Sequence, residues 1–370
     1  MISKRTNDLL ACSLILIFGM IAAIRLYPYQ NELAEILNGP LDDWKMYAQT
    51  ALDIHMNGLS IPSVHGDYDF PNGFLYNYFL AICFSIFGTN TTPIYIIQSC
   101  FVGLSIFVSY KTFREHMRPM TGMIFLIVFF LFGLLDMNKY YSFRFLSENL
   151  IILLLALFFY QTKKAIETES WLNFLSSGMF LGLGIMTRPN LFPIALLMIM
   201  IFTFYTIRKK INFSNYSILL TSFVICSSIL ALRNLSVTGN MTFFPVNSFT
   251  FFKQYFTHPD LMAENIFHKL LFTGGYLSFI NPEFQWRPHW TILWIIYFIY
   301  LIFKLKRKEN FEIWEKQMHL FILSYAAMMI FVIDTNLIGC YGFRYILPLV
   351  FTVLPFAFLS AEKVSGKREV

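Results

Sequence analysis

Two adjacent carboxylates, Asp42 and Asp43, stand in the run Leu41-Asp42-Asp43-Trp44-Lys45-Met46-Tyr47-Ala48, where a helix is expected to begin. Aspartate at a helix start satisfies free backbone N–H groups and complements the dipole, which is their structural use. A carboxylate at a lipid–water boundary can also take a proton from a hydroxyl, as a general base does. Tyr47, Ala51 and Ile54 follow Asp43 at helical spacing and share its face. Adjacent acids on a helix point in different directions, so one of the pair suffices for such a role. Four arginines, Arg144, Arg188, Arg233 and Arg344, each stand at the edge of an apolar run. A long basic side chain there snorkels toward headgroups, but the planar guanidinium is also a fork for phosphate. Tyr341 and Tyr345 flank Arg344 and offer faces on which a sugar stacks. Glu148 is a lone acid opening an apolar run. It caps its helix, orients a second reactant, or helps hold Asp43.

These residues need long apolar elements to hold them. Of 370 residues, 56% are hydrophobic, 14% are charged and 43 are Phe. A soluble domain is about 25% charged and could not cover so much apolar side chain with polar surface. The composition excludes a soluble enzyme, a disordered protein and a nucleic-acid binder, and points to an all-α polytopic membrane protein. A crossing helix takes about 20 apolar residues. Ten runs qualify: 9–27, 93–110, 119–135, 146–162, 170–187, 189–207, 211–232, 288–303, 317–333 and 345–361. The uncharged run 70–92 is broken by Pro71, Gly73 and Gly88, and its apolar part, 74–87, suits a re-entrant or surface helix. With 74–87 not crossing, the clusters Lys4-Arg5, Lys111 to Arg118, Lys163-Lys164, Arg208 to Lys210, Lys304 to Lys308 and Lys363 to Arg368 all face the cytoplasm.

That orientation leaves four outer segments, 28–73, 136–147, 233–287 and 334–344, which hold most of the Asp, Glu and His residues. The expected organisation is one transmembrane domain over 1–370. Segment 28–73 is a helical first extracytoplasmic loop with the acid pair, and 233–287 is a longer aromatic-rich loop. The opening Met1 to Arg5, followed by an apolar run, is expected to be an anchor. Cys12, Cys83, Cys100, Cys226 and Cys340 show no metal or redox spacing and read as packing residues. His55, His65, His258, His268 and His289 are scattered without ligand spacing. No metal site or cofactor is firmly implied, although Asp42, Asp43 and Glu148 could share a divalent cation.

The pattern Asp-Asp-Trp-x-x-Tyr-Ala from Asp42, followed by Pro-x-x-Phe-x-Tyr-x-Tyr-Phe-Leu from Pro71, resembles the opening of GT-C glycosyltransferases. The similar branch is the protein O-mannosyltransferase and aminoarabinose-transferase-like group, glycosyltransferase family 39 and its relatives. Arg144-Phe-Leu-Ser-Glu148, Gly182-Leu-Gly-Ile-Met-Thr-Arg188-Pro189, Arg233-Asn234 with Gly239, and Gly342-Phe-Arg344-Tyr345 with Pro348 are similar to further family segments. The chain departs from the family at Phe70-Pro71-Asn72-Gly73, where no basic residue accompanies the proline.

The resemblance implies a GT-C-like bundle of about ten transmembrane helices that moves a sugar from a polyprenyl-phosphate donor to an acceptor hydroxyl outside the cytoplasm. The acceptor would be protein, lipid or glycan. By its spacing to Tyr47 the catalytic acid matches Asp43, with Asp42 and Glu148 beside it. Arg144, Arg188, Arg233, Arg344, Tyr47, Tyr341 and Tyr345 would bind donor phosphate and sugar. Membrane lipids, but no nucleic acid, are the other expected partners, and a bacterial inner membrane is the expected location. Two other readings stay open. A transporter or flippase needs charges in mid-span or broken helices in matching halves. An O-antigen-type polymerase or ligase carries its large outer loop late in the chain.

Overall fold

The computed structural model describes residues 3–26, 33–38, 43–57, 74–133, 145–238, 241, 288–331, 348–349 and 351–360. Every regular element among them is helical. In chain order these are α1 (Lys4–Leu26), α2 (Leu33–Asn38), α3 (Asp43–Met56), α4 (Phe74–Phe87), α5 (Thr92–Phe113), α6 (Pro119–Phe132) and α7 (Glu148–Thr168). After them come α8 (Trp171–Thr187), α9 (Phe192–Ile207), α10 (Phe213–Thr238), α11 (Pro288–Lys306), α12 (Ile313–Phe331) and α13 (Phe351–Ser360). Helices are what lipid demands, because only they satisfy each backbone group within the segment.

The apolar runs and the helices coincide closely. Five helices among the described residues are long and apolar enough to cross a membrane: Lys4–Ile24, Thr92–His116, Glu148–Thr168, Pro189–Ile207 and Phe213–Ser236. α6 and α8 are apolar but shorter. α4 has 14 residues, about 21 Å of helix against a hydrocarbon layer of roughly 30 Å. Segment 28–73 is helical from Asp43, where α3 starts. α10 continues to Thr238, past the expected edge at 232. This carries Arg233 inside the helix rather than at the start of a loop. Cys12, Cys83, Cys100 and Cys226 are free thiols.

The chain divides into two compact units, one formed by 1–114 with 122–245 and the other by 115–121 with 246–370. In the first, helix pairs meet through small residues. A Cβ on Gly103 of α5 would stand 2.7 Å from Ile15 Cα of α1. Gly178 and Gly182 of α8 are four apart and face α10. A Cβ on Gly178 would collide with Ser222 Oγ and the Leu219 carbonyl, and one on Gly182 would lie 2.5 Å from Cys226 Cβ. Lipid tails give no hydrophobic drive to helix pairing, so close backbone approach at such stripes supplies the attraction. The Thr162 and Ser177 hydroxyls, 2.7 Å apart and buried, join α7 to α8. In the second unit, Lys304 at the end of α11 pairs with Glu315 at the start of α12. Tyr297 on α11 meets His319 Nδ1 of α12 at 2.9 Å.

Gly178→Val is therefore expected to cost about 1–3 kcal/mol by overpacking, read as a lower unfolding midpoint of the purified protein in detergent. Gly184→Ala, whose Cβ meets only Ile151 Cδ1 at 3.6 Å, should hold the midpoint or raise it.

Candidate functional site

In the first unit the polar residues separate to opposite ends. α7 runs from Glu148 to the basic pair Lys163-Lys164, about 22 Å by helical rise. At the Lys163 end, Lys163 Nζ donates to the Thr112 carbonyl at 2.8 Å. Arg114 and Lys111 hold Asp8 of α1 there at 2.6 and 3.1 Å. These cations serve the fold. At the other end of α7 stands a different set of residues.

Glu148, at the first turn of α7, is buried and pairs with Arg188, just past the end of α8. The pair exists because α7 and α8 are antiparallel, so the residue that opens one meets the residue that closes the other. Ser147, one residue before Glu148, lies 3.4 Å through its Oγ from the Tyr47 hydroxyl of α3. α3 buries Tyr47, Ala51 and Ile54, the stripe that the helical spacing anticipated, and Ala48 beside it. Position 43 is one turn N-terminal to Tyr47 on that stripe.

α4 packs beside α3. The Tyr47 and Tyr76 rings meet edge to face, with centroids 5.0 Å apart. The Tyr76 hydroxyl donates to Gln98 Oε1 of α5, and Asn149 Nδ2 of α7 donates to the Gln98 carbonyl at 3.3 Å. Tyr76 also lies within electrostatic reach of Glu148. Two residues further along α4, Tyr78 lies within reach of Arg233 of α10 instead, because residues i and i+2 project about 200° apart on a helix. Between them Asn77 is fully buried, and among the described residues neither carboxamide atom has a hydrogen-bond partner. An orphaned buried polar group costs about 1–3 kcal/mol.

Arg233 is itself buried at 7% exposure. Its guanidinium donates to Asn234 Oδ1 at 3.1 Å, and its Nε has no acceptor among the described residues. Among the described residues no carboxylate pairs with it. Of the residues expected to carry the chemistry, Tyr47, Glu148 and Arg188 are thus joined through Ser147. Arg233 is linked to them through α4. Asp43 is described by its place in α3 alone. Asp42, Arg144, Arg344, Tyr341 and Tyr345 lie outside the described residues. Among those described, no group of three His, Cys, Asp or Glu could hold a metal ion. Tyr76, Gln98, Ser147 and Asn149 were not singled out from the sequence. The signal for Gln98 was present: a lone carboxamide in an otherwise apolar run is costly in lipid unless it has a partner.

The Glu148–Arg188 pair sets a measurable expectation. Removing one partner leaves the other charge buried, so Arg188→Gln should cost about 3–5 kcal/mol. Glu148→Gln with Arg188→Gln should recover much of that loss. Chemical unfolding of the purified variants reads both.

Residues 71–231, a little under half of the chain, match the family described as dolichyl-phosphate-mannose-protein mannosyltransferase. The match includes Tyr76, Gln98, Ser147, Glu148 and Arg188, ends two residues before Arg233, and begins after α3. No curated protein matches the chain. Together with the apolar helices, the family match supports the resemblance read from the sequence to membrane glycosyltransferases of GT-C type.

Proposed function

We propose that the end of the first unit carrying Tyr47, Glu148, Arg188 and Arg233 transfers a sugar from a polyprenyl-phosphate donor to an acceptor hydroxyl. The reaction takes place at the extracytoplasmic face of a bacterial inner membrane. The observation that carries the reading is the contrast between two arginines. Arg188 is neutralised by Glu148, whereas Arg233 is buried with no carboxylate beside it among the described residues. A buried charge without a counter-ion costs several kcal/mol, and a donor phosphate supplies the missing anion. Arg233 is thus the first phosphate contact, with Arg144 and Arg344 as further ones. Tyr341 and Tyr345 stack on the sugar, and the Asn77 carboxamide finds its partner in a substrate hydroxyl.

Asp43 is the general base, with Asp42 next to it. Its carboxylate takes the proton of the acceptor hydroxyl while that oxygen bonds to the anomeric carbon. The bond from the anomeric carbon to phosphate oxygen breaks, and its electron pair leaves with polyprenyl phosphate. Arginine stabilises the charge that grows there. Direct displacement inverts the anomeric centre and needs no covalent enzyme intermediate. Glu148 acts here by holding Arg188 and the first turn of α7, so that Ser147 and Tyr47 keep α3 in register. The acceptor is a protein, lipid or glycan hydroxyl.

Purified protein with labelled polyprenyl-phosphate hexose and a membrane extract as acceptor source tests this. Transfer by the wild-type chain is expected. Asp43→Asn should lower the rate by about 10²–10⁴-fold, and near wild-type transfer by this variant would remove Asp43 from the mechanism. Arg233→Gln should lower transfer by about 10²-fold or more, and Arg233→Lys should restore part of it. Label crossing the bilayer without transfer would point to a carrier instead.

A further inference from the structure

A second feature of the first unit lies at the end of the bundle remote from Arg233. A cleft of about 640 Å³ opens where α9 ends and α10 begins. This is within the roughly 300–1,000 Å³ usual for small-ligand sites. Thr206 and Ile207 of α9, Lys209 and Lys210 of the turn, and Phe213 and Tyr216 of α10 line it. Tyr216 and Thr203 hydroxyls, 2.7 Å apart, tie the two helices together there. In the turn Lys209 takes a left-handed φ of 54°. Its N–H donates to the Thr206 carbonyl and that of Lys210 to the Tyr205 carbonyl, both at 2.9 Å.

Three consecutive cations are fanned out by this turn. Arg208 lies over the Phe204 ring at 5.3 Å and Lys210 over the Tyr205 ring at 6.0 Å. Among the described residues none of Arg208, Lys209 and Lys210 is in an ion pair. The carboxylate-bearing Glu169 also lines the cleft, so Lys209 and Lys210 leave the lining with a net positive charge. Directly beside the cations the rim is apolar and bare: Ile207 is 74% exposed and Phe213 72%. A soluble anion has no use for that rim. A phospholipid has, because its phosphate and its acyl chains meet at this depth, and α9 and α10 are both long apolar helices.

We propose that this cleft is a binding site for an anionic phospholipid. Lys209 and Lys210 hold the phosphate, and Ile207 and Phe213 lie along the upper acyl chain. Basic pockets between transmembrane helices on the cytoplasmic side take such headgroups. The site is separate from the transfer chemistry. A lipid there would clamp the α9–α10 turn, at the opposite end of α10 from Arg233.

The test is binding, not transfer, so it stands or falls apart from the proposed reaction. Native mass spectrometry of the full chain in detergent, titrated with dioleoyl phosphatidylglycerol and with dioleoyl phosphatidylcholine, counts bound lipid. The wild type should retain the anionic lipid preferentially. Lys209→Gln with Lys210→Gln should weaken that binding about tenfold. Lys306→Gln with Lys308→Gln removes the same charge from an exposed stretch elsewhere and should change it less than about twofold. Phe213→Ser, which leaves every charge in place, should weaken the lipid without affecting inorganic phosphate. Equal losses in the two double variants would reduce the effect to general charge attraction and overturn the site. Displacement of phosphatidylglycerol by equimolar inorganic phosphate would overturn the lipid as its occupant.

Discussion

A carboxylate and a guanidinium buried together at one end of a helix bundle are the constraint on which the rest of this chain depends. Glu148 and Arg188 come from opposite ends of consecutive antiparallel helices, so their pairing fixes the axial register of α7 against α8. Each charge is costly to bury alone and tolerable only with the other. Ser147 stands beside Glu148 and reaches Tyr47. Tyr47 packs on Tyr76, and Tyr76 bonds to Gln98. A chain of polar contacts therefore runs from α7 to α3, α4 and α5. Hydrogen bonds of this kind polarise one another in a low-dielectric setting and become more costly to break.

Packing without side chains complements this polar register. Gly178 and Gly182 let α10 lie against α8 with backbone nearly touching Ser222 and Cys226, and Gly103 does the same for α5 against α1. Close approach is an efficient source of attraction between helices surrounded by lipid. It also sets the height of α10, and hence where Arg233 falls. Arg233 is held within reach of Tyr78, on the opposite side of α4 from the Tyr76 cluster. α4 is short for a crossing, yet it separates a neutralised arginine from one that, among the described residues, has no carboxylate beside it. In the proposed reaction this division would leave one charge to hold the phosphate and a rigid wall to hold the rest.

The two ends of the first unit differ in kind. At one, cations such as Lys163, Arg114 and Lys111 bond to carbonyls and to Asp8. At the other, acid, arginine, tyrosine and carboxamide side chains converge. Cations that hold the fold and polar groups that converge are thus two separate sets, kept apart by the length of the helices.

Local composition and spacing determined the elements. Apolar runs with few charges can only be helices in lipid, so α1, α5, α7, α9 and α10 were legible with their approximate bounds, as was the helical start at Asp43. Residues near one another in the chain were equally legible: the Tyr47, Ala51, Ile54 stripe follows from helical pitch alone. The tertiary structure decided which partners those residues take. Nothing local says that Glu148 neutralises Arg188 or that Ser147 meets Tyr47 a hundred residues away. Nor does anything local distinguish Arg188 from Arg233, since each reads as an arginine at the edge of an apolar run. The difference between a satisfied and an unsatisfied charge belongs to the surroundings, and only the packing of α8, α10 and α4 supplies them.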